Sequence, residues 1–121
     1  MILDFQGVHD AIRNYFDGFY ASDAAKLSQV FHREANLYTV VEGKVSKMPL
    51  DDYLAVVEKR DPVAVSKKTE AILSVNFAGP AVAVARLAVA NSSTSFSDFL
   101  VLAREADGWR VVAKAYHADP L

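Results

Sequence analysis

The sequence predicts an α+β fold in which helices pack on one face of an antiparallel sheet. Three observations carry this. Apolar residues recur at three- and four-residue steps in three segments of the first 60 positions, from Thr69 onward the period becomes two, and Phe96–His117 (FSDFLVLAREADGWRVVAKAYH) reads as two long strands joined at Asp107-Gly108.

The first element is a helix from about Asp4 to Tyr20, with Phe5, Val8, Ile12, Tyr15, Phe16 and Phe19 on one face and Asp10, Arg13, Asn14 and Asp17 on the other. Ala21-Ser22-Asp23 breaks it, and Ser22 or Asp23 is a suitable N-cap for a short second helix carrying Leu27, Val30 and Phe31. His32-Arg33-Glu34 closes that helix, Ala35–Val41 is a strand, and Glu42-Gly43 turns it. Lys44–Pro49 is irregular. Leu50, Tyr53, Leu54 and Val57 share one face of a third helix, stopped at Asp61-Pro62.

In the next strand Ala71, Leu73, Val75 and Phe77 alternate with Glu70, Ser74 and Asn76, the pattern of a half-buried strand. Gly79-Pro80 turns it. Ala81–Ala90 is rich enough in Ala and Val that both its faces are covered or closely approached.

The 121 residues form one domain, 1–121, long enough to enclose a core, and 52% hydrophobic with 23% charged residues is a globular composition. Thirteen basic and fifteen acidic residues, with no basic stripe, give no footprint for nucleic acid. The absence of cysteine excludes disulfides and thiolate chemistry and fits a cytoplasmic protein. Met1–Val8 lacks a leader signature, and the longest apolar run, Ala81–Ala85, is far short of the roughly 20 residues of a membrane span. His9, His32 and His117 are scattered, so neither a metal nor another cofactor is expected.

Within Phe96–His117 a two-residue Asp107-Gly108 turn puts Asp98 opposite His117. One face then carries Asp98, Leu100 and Leu102 with Ala113, Ala115 and His117. The other carries Phe99, Val101 and Ala103 with Val112, Lys114 and Tyr116. A three-residue Ala106–Gly108 loop with a bulge instead puts Asp98 opposite Tyr116 and near Lys114. The first register is favoured because it segregates the small residues, which suits a pocket wall. Arg86 reaches Asp98 if the Asn91–Ser95 loop keeps parity. Asp98 is then either a pocket acid flanked by His117, Arg86 and the helix-borne Tyr15, or one half of a cross-strand ion pair fixing register, worth about 0.2–1 kcal/mol.

Several stretches together resemble the nuclear transport factor 2-like superfamily and, more narrowly, its putative lumazine-binding (SnoaL-like) branch. They are Tyr15–Tyr20 before Ser22–Leu27, Phe31-His32 with Ala35–Tyr38, Asp98–Leu102, and Asp107–Val112. The resemblance implies a curved antiparallel sheet wrapped around helices as a cone with a pocket, and a bacterial source. Ketosteroid isomerases of that superfamily pair a first-helix tyrosine with a strand aspartic acid as an oxyanion hole and add a carboxylate base. Tyr15 and Asp98 fall on the first two positions. Thr39 falls on the third, where it cannot shuttle a proton near neutral pH.

The leading expectation is therefore a small-molecule-binding protein, with Tyr15, Phe19, Tyr38, Arg86, Asp98, Trp109 and His117 contacting the ligand. Core packing is the alternative for the aromatic members. An isomerase, cyclase or dehydratase using Asp98 with His117 is the rival, and a ligand-free dimeric module is the third reading. Phe99, Val101, Ala103, Val112 and Tyr116 form an apolar band on the sheet face away from the helices, which predicts a homodimer through that face.

Overall fold

Asp4 starts the first helix of the computed structural model, which describes residues 2–121. Its carboxylate accepts from the Gly7 amide at 2.9 Å and from Trp109 Nε1 at 3.0 Å, so one side chain caps α1 (Phe5–Ala21) and ties it to the last strand. Val8, Ile12, Tyr15, Phe16 and Phe19 form the buried stripe that the periodicity predicts. Phe5 does not join it: at the helix entrance it is 57% exposed, with its ring edge-to-face on that of Phe77. Ser22 ends α1 in the left-handed conformation. Asp23 caps α2 (Ala24–Val30) through the Lys26 amide, and Gly18 lets the two helices close on Leu27.

The sheet contains β1 (Phe31–Val41), β2 (Lys44–Pro49), β3 (Thr69–Phe77), β4 (Val82–Ala90), β5 (Thr94–Glu105) and β6 (Gly108–Pro120), in spatial order β2-β1-β6-β5-β4-β3. It is curved and unclosed, with α1 and α2 on its concave side. α3 (Leu50–Glu58) packs on α2, β1 and β2. Met1, the first residue of the stretch read for a leader, lies outside the described residues.

Four features differ from the sequence reading. The sheet is mixed, because β1 and β6 run parallel while every other pairing is antiparallel. β1 begins directly at Phe31, so His32 lies in a strand. Lys44–Pro49 is not irregular but an exposed edge strand, set by the Glu42-Gly43 turn, whose two residues both take positive φ. In β3 a bulge at Leu73 reverses the alternation. Ile72 pairs with Leu87 and Val75 with Ala85, while Leu73 is left 55% exposed and Ala71 is exposed too.

The fifth difference places the site. The last hairpin turns at Ala106-Asp107, with Glu105 paired to Gly108. Leu102 pairs with Val111, but Val101 pairs with Ala113, so Val112 is an unpaired bulge residue. Beyond it Asp98 faces Tyr116. The favoured register is thus corrected, and the partner of the second one is found, reached by a bulge inside the strand and not at the turn.

Candidate functional site

Because the bulge inserts one residue, the side chains that alternate inward along β6 change parity: Trp109 and Val111 point in before it, Lys114 and Tyr116 after it. Lys114 therefore enters the core beside Asp98, and Ala113, Ala115 and His117 face outward. Asp98 and Lys114 are the only charged residues classed as buried among those described, at 1% and 2% exposure.

Tyr15 joins them from α1. Its hydroxyl donates to Asp98 Oδ2 at 2.6 Å and accepts from Lys114 Nζ at 2.7 Å. Lys114 Nζ is 3.8 Å from the same Oδ2, so its link to the acid runs through the phenol. The result is a directed chain, Lys114 to Tyr15 to Asp98, in which each donor is matched to an acceptor. Burial, and secondarily the Asp98 charge, push the Tyr15 hydroxyl well above its ordinary pKa and keep it protonated.

The walls are aromatic. Lys114 Nζ lies 5.1 Å from the ring centroids of Tyr15, Tyr53 and Tyr116 and 5.8 Å from that of Phe96. Such faces are negative and partly replace the hydration the ammonium has lost. Phe19 and Phe31 complete the box by edge-on contacts to Phe96 and Tyr53. Two polar atoms in it have no partner among the described residues, Asp98 Oδ1 and the Tyr53 hydroxyl.

Of the seven residues singled out from the sequence, the structure brings Tyr15, Phe19 and Asp98 together in this interior. Tyr38, Arg86 and His117 lie on the opposite face of the sheet. Arg86 pairs with Phe99 and its guanidinium stands 5.9 Å over that ring, away from Asp98. His117 is exposed and bonded to Asp119 at 2.8 Å, so no Asp98–His117 acid–base pair forms. The space expected from the alanines opens on this outer face too, as two cavities of about 330 and 280 Å³ that share Ala115, Tyr116 and His117. Trp109 is core, packed on Phe77 and bonded to Asp4. Thr39 donates to the Tyr116 carbonyl at 2.6 Å, and the nearby acid Glu42 is in the exposed β1–β2 turn.

Lys114 and Tyr53 join the site without having been among the expected ligand contacts. Tyr53 was legible as an apolar-face residue of α3, but its unpaired hydroxyl was not. Lys114 carried a signal only in the second register, where it falls near Asp98. No three His, Asp or Glu side chains among the described residues gather as a metal site. No helix there is long and apolar enough to cross a membrane.

A family model described as putative lumazine-binding matches residues 3–117, and the chain belongs to that family. No curated protein matches it in sequence. Among solved structures it is similar to a nuclear transport factor 2-like protein of unknown function from Shewanella baltica, at 24% identity and a TM-score of 0.88, covering 98% of this chain and 95% of that one. A second such protein of unknown function, from Silicibacter pomeroyi, is 22% identical with a TM-score of 0.84, covering 94% of each chain. A ketosteroid isomerase-like protein from Erwinia carotovora atroseptica is 13% identical with a TM-score of 0.73, covering 95% of each. At these identities the likeness establishes the nuclear transport factor 2-like fold.

Proposed function

We propose that the protein binds a small molecule inside the cone, with the ligand's polar edge taken by Asp98 Oδ1, the Tyr53 hydroxyl and the spare N–H groups of Lys114. The observation that carries this reading is the pair of buried polar atoms without a partner beside a buried ammonium that, among the described residues, donates only to Tyr15. Leaving a buried polar group unsatisfied costs about 1–3 kcal/mol, and a ligand that supplies the missing partner recovers it. Tyr15 and Phe19 belong to the wall. A ligand reaches these buried atoms only if α3, which carries Tyr53 and packs on α2, β1 and β2, moves aside. The family description points toward a small molecule as well.

Native mass spectrometry of the purified protein tests this. The expected result is a small-molecule adduct on the wild-type chain that is lost in Asp98→Asn. An unliganded mass, joined to no thermal shift across a broad metabolite panel, removes the reading and leaves the interaction module. An enzymatic reading draws on the directed Lys114–Tyr15–Asp98 chain, which could hold or move a proton. It requires turnover of the bound molecule, abolished in Asp98→Asn but not in a remote surface variant.

The outer face supports a homodimer. Of the predicted band, Phe99, 51% exposed, and Val101 and Ala103 stay on this face while Tyr116 turns inward, and Val84, Ala113 and Ala115 extend the apolar surface. Sedimentation at micromolar concentration should give twice the 13.2 kDa monomer mass, and a 13.2 kDa particle would refute the pairing.

A further inference from the structure

Just past the end of α3, Arg60 occupies the rim of the aromatic box. Its guanidinium stands 5.9 Å over the Phe19 ring and 5.6 Å over the Phe96 ring. Phe96 is also one of the rings around Lys114, so a single aromatic layer separates the partly exposed Arg60 from the buried polar chain. Arg60 makes no ion pair and no side-chain hydrogen bond among the described residues. That distinguishes it from Arg13, paired with Glu70 and Asp17, and from Arg110, paired with Asp107. It lines a cavity of about 270 Å³ with Asn91, Ser92, Ser93 and Thr94. In that turn the Asn91 side chain already accepts from the Ser93 and Thr94 amides, which fixes the loop opposite Arg60.

We propose that this cavity is an anion subsite at the mouth of the cone, so that the ligand carries a carboxylate or similar anionic group on Arg60 while its neutral polar edge reaches Asp98. The inference rests on the cone reading above and adds the charge of the ligand to it. A guanidinium presents five donors in a planar fork suited to a carboxylate, and stacking on two rings orients that fork without using any of the five. The interior favours a neutral group, because Asp98 and Lys114 already balance one another. Net charge on the ligand belongs at the mouth. Asp61 lines the same cavity and is the one group there that opposes an anion.

Calorimetric titration with 4-(4-hydroxyphenyl)butyrate, whose phenol is the neutral polar edge, and with its uncharged amide, 4-(4-hydroxyphenyl)butanamide, separates the two ideas. The acid should bind more tightly than the amide. Arg60→Ala should weaken the acid about tenfold, the scale of one lost charge-assisted contact, while changing the amide less than about twofold. Arg60→Lys should restore part of the loss, and Asp61→Asn should tighten the acid alone. Equal effects on both probes, or none on the acid, overturn the anion subsite. If the amide binds in an Asp98-dependent way while the acid gains nothing from Arg60, the cone reading stands and this inference falls. If neither probe binds up to millimolar concentration, both fall.

Discussion

The two faces of the β5–β6 hairpin invert the usual arrangement of a protein. The concave face buries an acid, an ammonium and a phenol, whereas the convex face leaves Phe99, Ala115 and their apolar neighbours open to solvent. Neither choice is the one stability alone would make. Buried charge is costly to desolvate, and exposed apolar area gains nothing until something covers it. The difference teaches that each face is shaped for an encounter, the inner one with a polar group and the outer one with another apolar surface.

Removing one charge from the inner face should have the largest effect. Lys114→Met leaves Asp98 as a buried, uncompensated anion and should cost about 3–5 kcal/mol in urea denaturation. The triple change Tyr15→Phe, Asp98→Leu, Lys114→Met should return close to wild-type stability, since apolar replacement of a whole buried ionic group is often neutral. A triple variant as unstable as the single one would mean that the chain holds the fold together, and the contrast between the faces would lose its functional sense.

Tyr15→Phe is the next step down. It deprives Lys114 of its acceptor and Asp98 Oδ2 of its donor, and about 1–3 kcal/mol should be lost. A loss under about 0.5 kcal/mol would show that Lys114 turns directly to Asp98 and that the relay is not the resting arrangement.

The rim between the faces gives a smaller, pH-dependent effect. Hydrogen bonding from Arg13 holds the Glu70 carboxyl below its ordinary value of 4.5. A depressed acid adds stability that is fully present above that value and lost as pH falls through the folded pKa. Arg13→Ala should therefore lower stability modestly at neutral pH and converge with the wild type as pH falls through the folded pKa of Glu70, so that its profile is flatter below about pH 4.5. An unchanged acid limb would show that solvent screens this exposed pair completely.

The smallest effect on folding should come from the convex face. Phe99→Glu should change monomer stability by less than about 0.5 kcal/mol while shifting sedimentation toward 13.2 kDa. If it unfolds the chain instead, Phe99 is core and the two faces are not distinct.

Much of this was readable in the chain itself. The α1 stripe, Asp23 as a cap, the Glu42-Gly43 turn and the inward Tyr15 follow from local periodicity and turn chemistry, which depend on residues a few positions apart. Lys44–Pro49 escaped because six residues ending in proline give too short an alternation to separate a strand from a loop. Phe5 lies outside the core although its spacing predicts it inside, because periodicity sets a helix face but not where the sheet beneath it ends.

The sequence by itself thus determined every element but β2, the fold class and the presence of Tyr15 and Asp98 on inward faces. Only the tertiary structure decided that Lys114, and not His117 or Arg86, would meet them. The reason is geometric: one unpaired residue, Val112, reverses the facing of everything after it. Where that bulge falls depends on how β6 must lie between β5 and the parallel β1, a fit among strands that no local pattern encodes.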